Sequence, residues 1–274
     1  LTRILLALLL LAAPAEARRR ARHVQHPKAE RPEDDVRLKG DAKAFQKVAV
    51  SIVAPKDLAL LEGDEVRIEL QITGYALGAL AAGGPVPHAH LIVDNEPALE
   101  IDAAAPFSLS GLRPGPHALR LVLCRPWHEV VKAPHAFALA RFWLGPRLEG
   151  KAGKAAEFVA WPDPKKPILT YVLPIGEPGK DAQDLSIDAG GDPAEAQRAP
   201  VLDFYLSGAK LARRGDKVRV VLDKRELPLT TDWKPLPLKR ARGGSHKITV
   251  DLLDRRGLKV KNAVNRTDRA FAVD

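Results

Sequence analysis

From residue 48 onward the chain reads as short apolar alternations broken by Pro, Gly, Asp and Asn. Glu65-Val66-Arg67-Ile68-Glu69-Leu70-Gln71-Ile72 alternates with period two, which places every second side chain on one face of a half-buried strand. Residues 118–123 do the same less strictly, and strand signals recur at 48–53, 89–93, 107–109 and 137–144. Asp94-Asn95 and Pro114-Gly115 punctuate these runs as turns. No amphipathic helical pattern competes with them. Short strands at these spacings predict an all-β fold of the immunoglobulin-like β-sandwich type, without the Cys…Trp…Cys signature of antibody domains.

The same pattern occurs twice. Shifting the chain by 129 positions (223 minus 94) superposes Asp94 on Asp223, Pro106 on Pro235, Gly115 on Gly244, His117 on His246, Lys132 on Lys261 and Phe142 on Phe271. The shift holds without a gap from residue 88 to 144, and apolar triplets fall in register: Leu91-Ile92-Val93 sits on Val220-Val221-Leu222. Two tandem β-sandwich domains are therefore expected, the second a diverged repeat of the first. Positions kept in both copies belong to the scaffold. Asp94 and Asp223 are expected to bond their own downstream backbone at a turn, and His117 and His246 to bond a backbone group at the hairpin.

Ahead of the first repeat, Thr2-Arg3, an apolar run over residues 4–13 and the A-x-A-like Ala13-Pro14-Ala15 and Ala15-Glu16-Ala17 form the order of a secretory signal peptide over residues 1–17. Residues 18–47 lack hydrophobic periodicity and read as a flexible charged linker. Domain 1 is expected over 48–145 and domain 2 over 168–274. Between them Pro146, Gly150, Gly153, Pro162, Pro164 and Pro167 mark a Pro/Gly-rich linker over 146–167, and residues 180–200 read as an Asp- and Gly-rich loop. The expected location is periplasmic or secreted, with no mature transmembrane segment, since the leader's apolar run is too short for a bilayer span.

The chain of 274 residues carries a net charge of +9, and its basic residues concentrate over 209–242, where Lys210, Arg213, Arg214, Lys217 and Arg219 begin a dense run. That balance reads first as a soluble basic surface, and otherwise as one for an anionic cell-surface polymer or another exported protein, in preference to nucleic acid. The single cysteine, Cys124, excludes an intramolecular disulfide and is expected to be buried.

Domain 1 alone carries Pro87-His88-Ala89-His90 and Arg125-Pro126-Trp127-His128-Glu129; the matching places in domain 2 hold Lys217, Arg219, Asp254, Arg255, Arg256, Gly257 and Leu258. The cluster is thus not needed to build the sandwich. His88, His90, Arg125, Trp127, His128 and Glu129 are the candidate ligand-binding residues. H-x-H on a strand puts both imidazoles on one face, so Zn or Cu held by His88, His90 and His128, with Cys124 as a further ligand, is the alternative to a ligand-binding or packing surface without a cofactor. No G-x-S-x-G elbow, H-E-x-x-H or Gly-rich phosphate loop is present, so no enzymatic activity is expected.

The order Pro87-His88-Ala89-His90, Val93-Asp94-Asn95, Gly115-Pro116-His117-Ala118-Leu119-Arg120 and Arg125-Pro126-Trp127-His128-Glu129 resembles a family of exported bacterial hypothetical proteins with PHxH, LDN, GxHxLR and RPWHES motifs. The match spans residues 48–144, and Val130 stands where the last motif has serine. The resemblance implies an extracytoplasmic domain and brings no activity, cofactor or catalytic residue. Two readings remain: an exported, non-enzymatic binding or structural module with a specialised His/Trp surface on domain 1 and a basic surface on domain 2, or a periplasmic copper- or zinc-binding protein or metal-dependent enzyme using His88, His90 and His128.

Overall fold

The computed structural model describes residues 43–78, 86–176, 183, 185–187 and 200–273. The leader, most of the charged linker and most of the 180–200 loop lie outside them. The first sandwich packs a sheet of β1 (Ala49–Ala54), β3 (Glu65–Thr73) and β6 (Phe107–Ser110) against a five-stranded sheet. That second sheet has the order β2 (Ala59–Leu61), β8 (Phe137–Leu144), β7 (Gly115–Cys124), β4 (His88–Val93), β5 (Leu99–Ile101). The second sandwich opposes β9 (Ile168–Leu173), β11 (Val201–Ser207) and β14 (Leu236–Pro237) to a sheet ordered β13 (Arg225–Glu226), β12 (Lys217–Leu222), β15 (Gly244–Leu253), β16 (Arg266–Val273). The edge of β6 also pairs with β10 (Ser186–Ile187), so a piece of the second half extends a sheet of the first.

The repeat is visible strand by strand. β4 and β12, β7 and β15, and β8 and β16 have matching lengths and start 129 residues apart (217 minus 88, 244 minus 115, 266 minus 137). Their turns match as well. His117 Nδ1 lies 2.9 Å from Asp94 Oδ2 and His246 Nδ1 2.7 Å from Asp223 Oδ2, while each ring's Nε2 meets a carbonyl, that of Arg113 or Arg242. Asp94 and Asp223 both adopt left-handed backbone, with φ of 52° and 48°. Contrary to the expected downstream cap, each carboxylate accepts a bond from the neighbouring strand, at Ala118 N or Lys247 N, because the aspartate faces across the sheet to β7 or β15 and not along its own turn.

The copies differ in what covers their outer sheet face. In β12 burial alternates, as it should for a sheet with one wet side, but all six residues of β4 are buried. The second sandwich supplies the cover. Tyr205 stacks on Phe137 with ring centres 5.1 Å apart, Val172 and Leu173 join the first core, and buried Arg120 reaches Thr170 Oγ1 at 3.3 Å. The guanidinium of Arg120 also donates to Asp94 O and Asn95 Oδ1, and burial lowers its pKa to about 9. Asn95 continues the contact by donating to Thr267 Oγ1 at 3.1 Å and accepting from Arg269 at 2.6 Å.

The segment expected as a Pro/Gly-rich linker contains an 11-residue helix, α1 (Gly150–Ala160). Its prolines stand outside the helical span, at 146, 162, 164 and 167, so they bound the helix and do not break it. Among the described residues no helix is long and apolar enough to cross a membrane.

Candidate metal centre

Four side chains converge at one end of the five-stranded sheet of the first sandwich. His88 and His90 lie two residues apart on β4 and so share a face. Glu100 on β5 is the register partner of His90 and projects beside it. The fourth, His128, comes from the turn after β7, which is closed by Arg125 N donating to Glu129 O and His128 N to Arg125 O, both at 2.8 Å. One potential ligand atom from each of the four lies within 4.8 Å of all the others.

The nitrogen spacing has the scale of a tetrahedral site. His88 Nε2 is 3.2 Å from His90 Nε2, and His128 Nδ1 is 3.4 Å from the same atom. Metal–nitrogen bonds of about 2.0–2.1 Å at tetrahedral angles space their nitrogens about 3.3–3.4 Å apart. Glu100 flanks the rings, with Oε1 3.6 Å from His88 Nδ1 and Oε2 4.0 Å from His128 Nδ1.

Proton counting points the same way. His88 Nδ1 donates to the carbonyl of Val86 at 2.9 Å, which leaves Nε2 of the neutral ring as a lone pair aimed inward. A single proton on His90 Nε2 would then have to serve both neighbouring nitrogens, while buried His90 Nδ1 has no hydrogen-bond partner among the described residues. A cation satisfies all three inward lone pairs at once. Added protons are a poor substitute. Burial lowers the pKa of His88 to about 4, and burial together with the charges of His88 and His128 holds His90 well below its ordinary range. Both rings are therefore neutral near pH 7, the form that ligates metal.

The backbone at His128 carries its own signal. Its φ is 63°, a left-handed conformation rare for residues with a Cβ, and the matching Gly257 of the second sandwich has φ of 80°. The two turns share their hydrogen bonds, since Asp254 N donates to Leu258 O and Gly257 N to Asp254 O. The turn demands that conformation, and the first sandwich meets it with a histidine.

The other predicted residues support this turn. Trp127 Nε1 donates to Glu129 Oε2 at 3.0 Å, and the Arg125 guanidinium lies over the rings of Phe45 and Trp127, 5.1 and 5.7 Å from their centres. Cys124 is buried, as expected, but is not in the converging group. Burial, with the nearby carboxylates of Asp203 and Glu100, pushes its thiol pKa far up, so it stays protonated. Sequence reasoning missed Glu100, although the repeat offered a signal: the 129-residue shift aligns Glu100 with Leu229, so this carboxylate too is private to the first copy. In the second sandwich the equivalent sheet face holds buried Asp251 among Arg219, Lys259 and Arg266, at 2.5, 3.2 and 3.4 Å.

No protein-family model matches this chain, and no curated protein matches it. Among solved structures it is similar to the Clostridium thermocellum CbhA fibronectin(III)-like modules, at 12% identity over 82% of this chain and 94% of that one, with a TM-score of 0.27. It is similar to the central fibronectin-III array of RIM-binding protein at 11% identity, over 80% of this chain and 67% of that one, TM-score 0.23. A third likeness is to Bacteroides ovatus mixed-linkage glucan utilization locus SGBP-B, solved in complex with a mixed-linkage heptasaccharide, at 13% identity over 82% of this chain and 70% of that one, TM-score 0.22. Likeness at this level carries no functional argument. The tandem immunoglobulin-like sandwich fold stands on the strand order and on the match between the two copies.

Proposed function

We propose that the protein is an exported, non-enzymatic binding module whose first sandwich holds one divalent transition-metal ion, Zn(II) or Cu(II), through His88, His90, His128 and Glu100. The observation that carries this reading is the convergence of three imidazoles and one carboxylate within 4.8 Å. Nitrogen with one oxygen suits these ions. For Zn(II), four protein ligands fill a tetrahedron, the mark of a site that holds its metal, whereas catalytic sites keep a position open for water or substrate.

The test is elemental analysis of purified protein loaded with Zn(II) or Cu(II) and dialysed. Stoichiometric metal is expected in the wild type. It is lost in His88→Ala and His90→Ala, weakened in Glu100→Gln and retained in Cys124→Ala. A wild-type protein that holds neither ion overturns the reading.

A further inference from the structure

We infer that the second sandwich is a working part of the metal centre, with Asp203 the positioning residue that holds the turn presenting His128. This inference rests on the metal reading of the four-residue cluster and adds to it a dependence on another domain.

Residues 129–133, directly after His128, are buried and held from two sides. Toward its own sandwich, Val131 N donates to Leu123 O and Val130 bridges to Cys124. Toward the other sandwich, Val130 N donates to Asp203 Oδ2 at 2.9 Å, only two residues beyond the ligand. The Lys132 ammonium reaches both oxygens of the same carboxylate, at 2.8 and 3.1 Å, and the Tyr205 hydroxyl donates to Ala133 O at 2.7 Å. Lys132 and Asp203 side chains are 3% and 1% exposed, so this pair sits inside the junction with no solvent to replace either partner.

The second copy shows the same turn without such a clamp. Lys259 occupies the place of Val130 with its side chain half exposed, and Lys261 occupies that of Lys132 on the surface. The turn there carries a glycine, which needs no external support for its backbone. His128 does not relax so freely. A strained backbone persists where its surroundings over-determine it, and here the surroundings include a carboxylate from the next domain. Groups that hydrogen-bond a metal's ligands set its affinity by about 10- to 100-fold, and Asp203 acts one step further out, through the backbone two residues beyond His128.

Zn(II) affinity by competition with a chelating dye, together with the visible spectrum of the Co(II)-loaded protein, tests this on the full chain. Asp203→Asn and Tyr205→Phe should each weaken Zn(II) binding, Asp203→Asn by about tenfold or more, and alter the Co(II) spectrum. Asn95→Ala breaks contacts with the second sandwich at the far end of β4; it should lower thermal stability and leave affinity and spectrum unchanged. If Asp203→Asn does not fold, Tyr205→Phe carries the test. Wild-type affinity in the folded Asp203 or Tyr205 variant, or equal weakening by Asn95→Ala, overturns the inference. A wild-type chain that binds no metal is a different result and overturns the metal reading itself.

Discussion

His128 and Gly257 occupy the same position of the same turn in the two sandwiches, both left-handed, with φ of 63° and 80°. The first copy thus carries a side chain where the backbone favours none. Left-handed backbone costs a residue with a Cβ about 1–2 kcal/mol. A histidine kept at such a position trades stability for what its ring does.

His128→Gly should therefore raise the stability of the metal-free protein by about 1 kcal/mol while removing metal-dependent stabilisation. Thermal melts with EDTA and with excess Zn(II) separate the two effects. A variant less stable than wild type in EDTA would show that the ring contributes packing that outweighs the strain. A melting temperature still raised by Zn(II) would remove His128 from the ligand set.

The buried histidines also set an acid limit. An unfolded imidazole takes its proton near 6.5, whereas folded His88 does so only at about 4, chiefly because of burial. Between these values the unfolded chain binds more protons, so the metal-free protein loses stability as pH falls from 6.5 towards 4. The contribution of His88 across that window is about 3 kcal/mol, and His90 acts in the same direction. Urea unfolding in EDTA at several pH values should give a shallower acid limb for His88→Gln than for wild type. Parallel limbs would assign the acid loss to other groups.

The twin histidine–aspartate turns should differ in worth. Asp94 accepts bonds from His117, Ala118 N and Gln183, and its carbonyl takes the Arg120 guanidinium; Asp223 serves only the first two roles, at a more exposed site. Asp94→Ala should cost about 2 kcal/mol by urea unfolding, and Asp223→Ala clearly less. Equal losses would mean that the Gln183 bond and the deeper burial of the first turn add nothing.

Much of this architecture was legible because period-two alternation survives wherever one sheet face is wet. β8 was read at its observed bounds, and β3 to within a residue. β2 and β5 escaped, since three residues are too few to show a period. Helix α1 was obscured by the prolines that bound it. At the site, the copy comparison isolated His88, His90 and His128 because scaffold residues cancel between copies. It ranks every residue private to the first copy alike, so Trp127 and Glu129 stand beside the histidines, although they bond each other on the turn and lie outside the converging group. Asp203 was out of reach, since its role depends on how two separately folded units meet.

A chain made from its N-terminus completes β4, β7 and β8 before β9 and β11 exist. During that interval the face bearing Ile92, Val122 and Phe137 has no partner, although in the finished protein the first two of these are essentially inaccessible. The first sandwich is thus born with an apolar flank and must wait for its successor to cover it. The complete burial of β4 is the record of that dependence. The halves share an ancestry in sequence, but in biogenesis they are not interchangeable beads: the earlier is finished by the later.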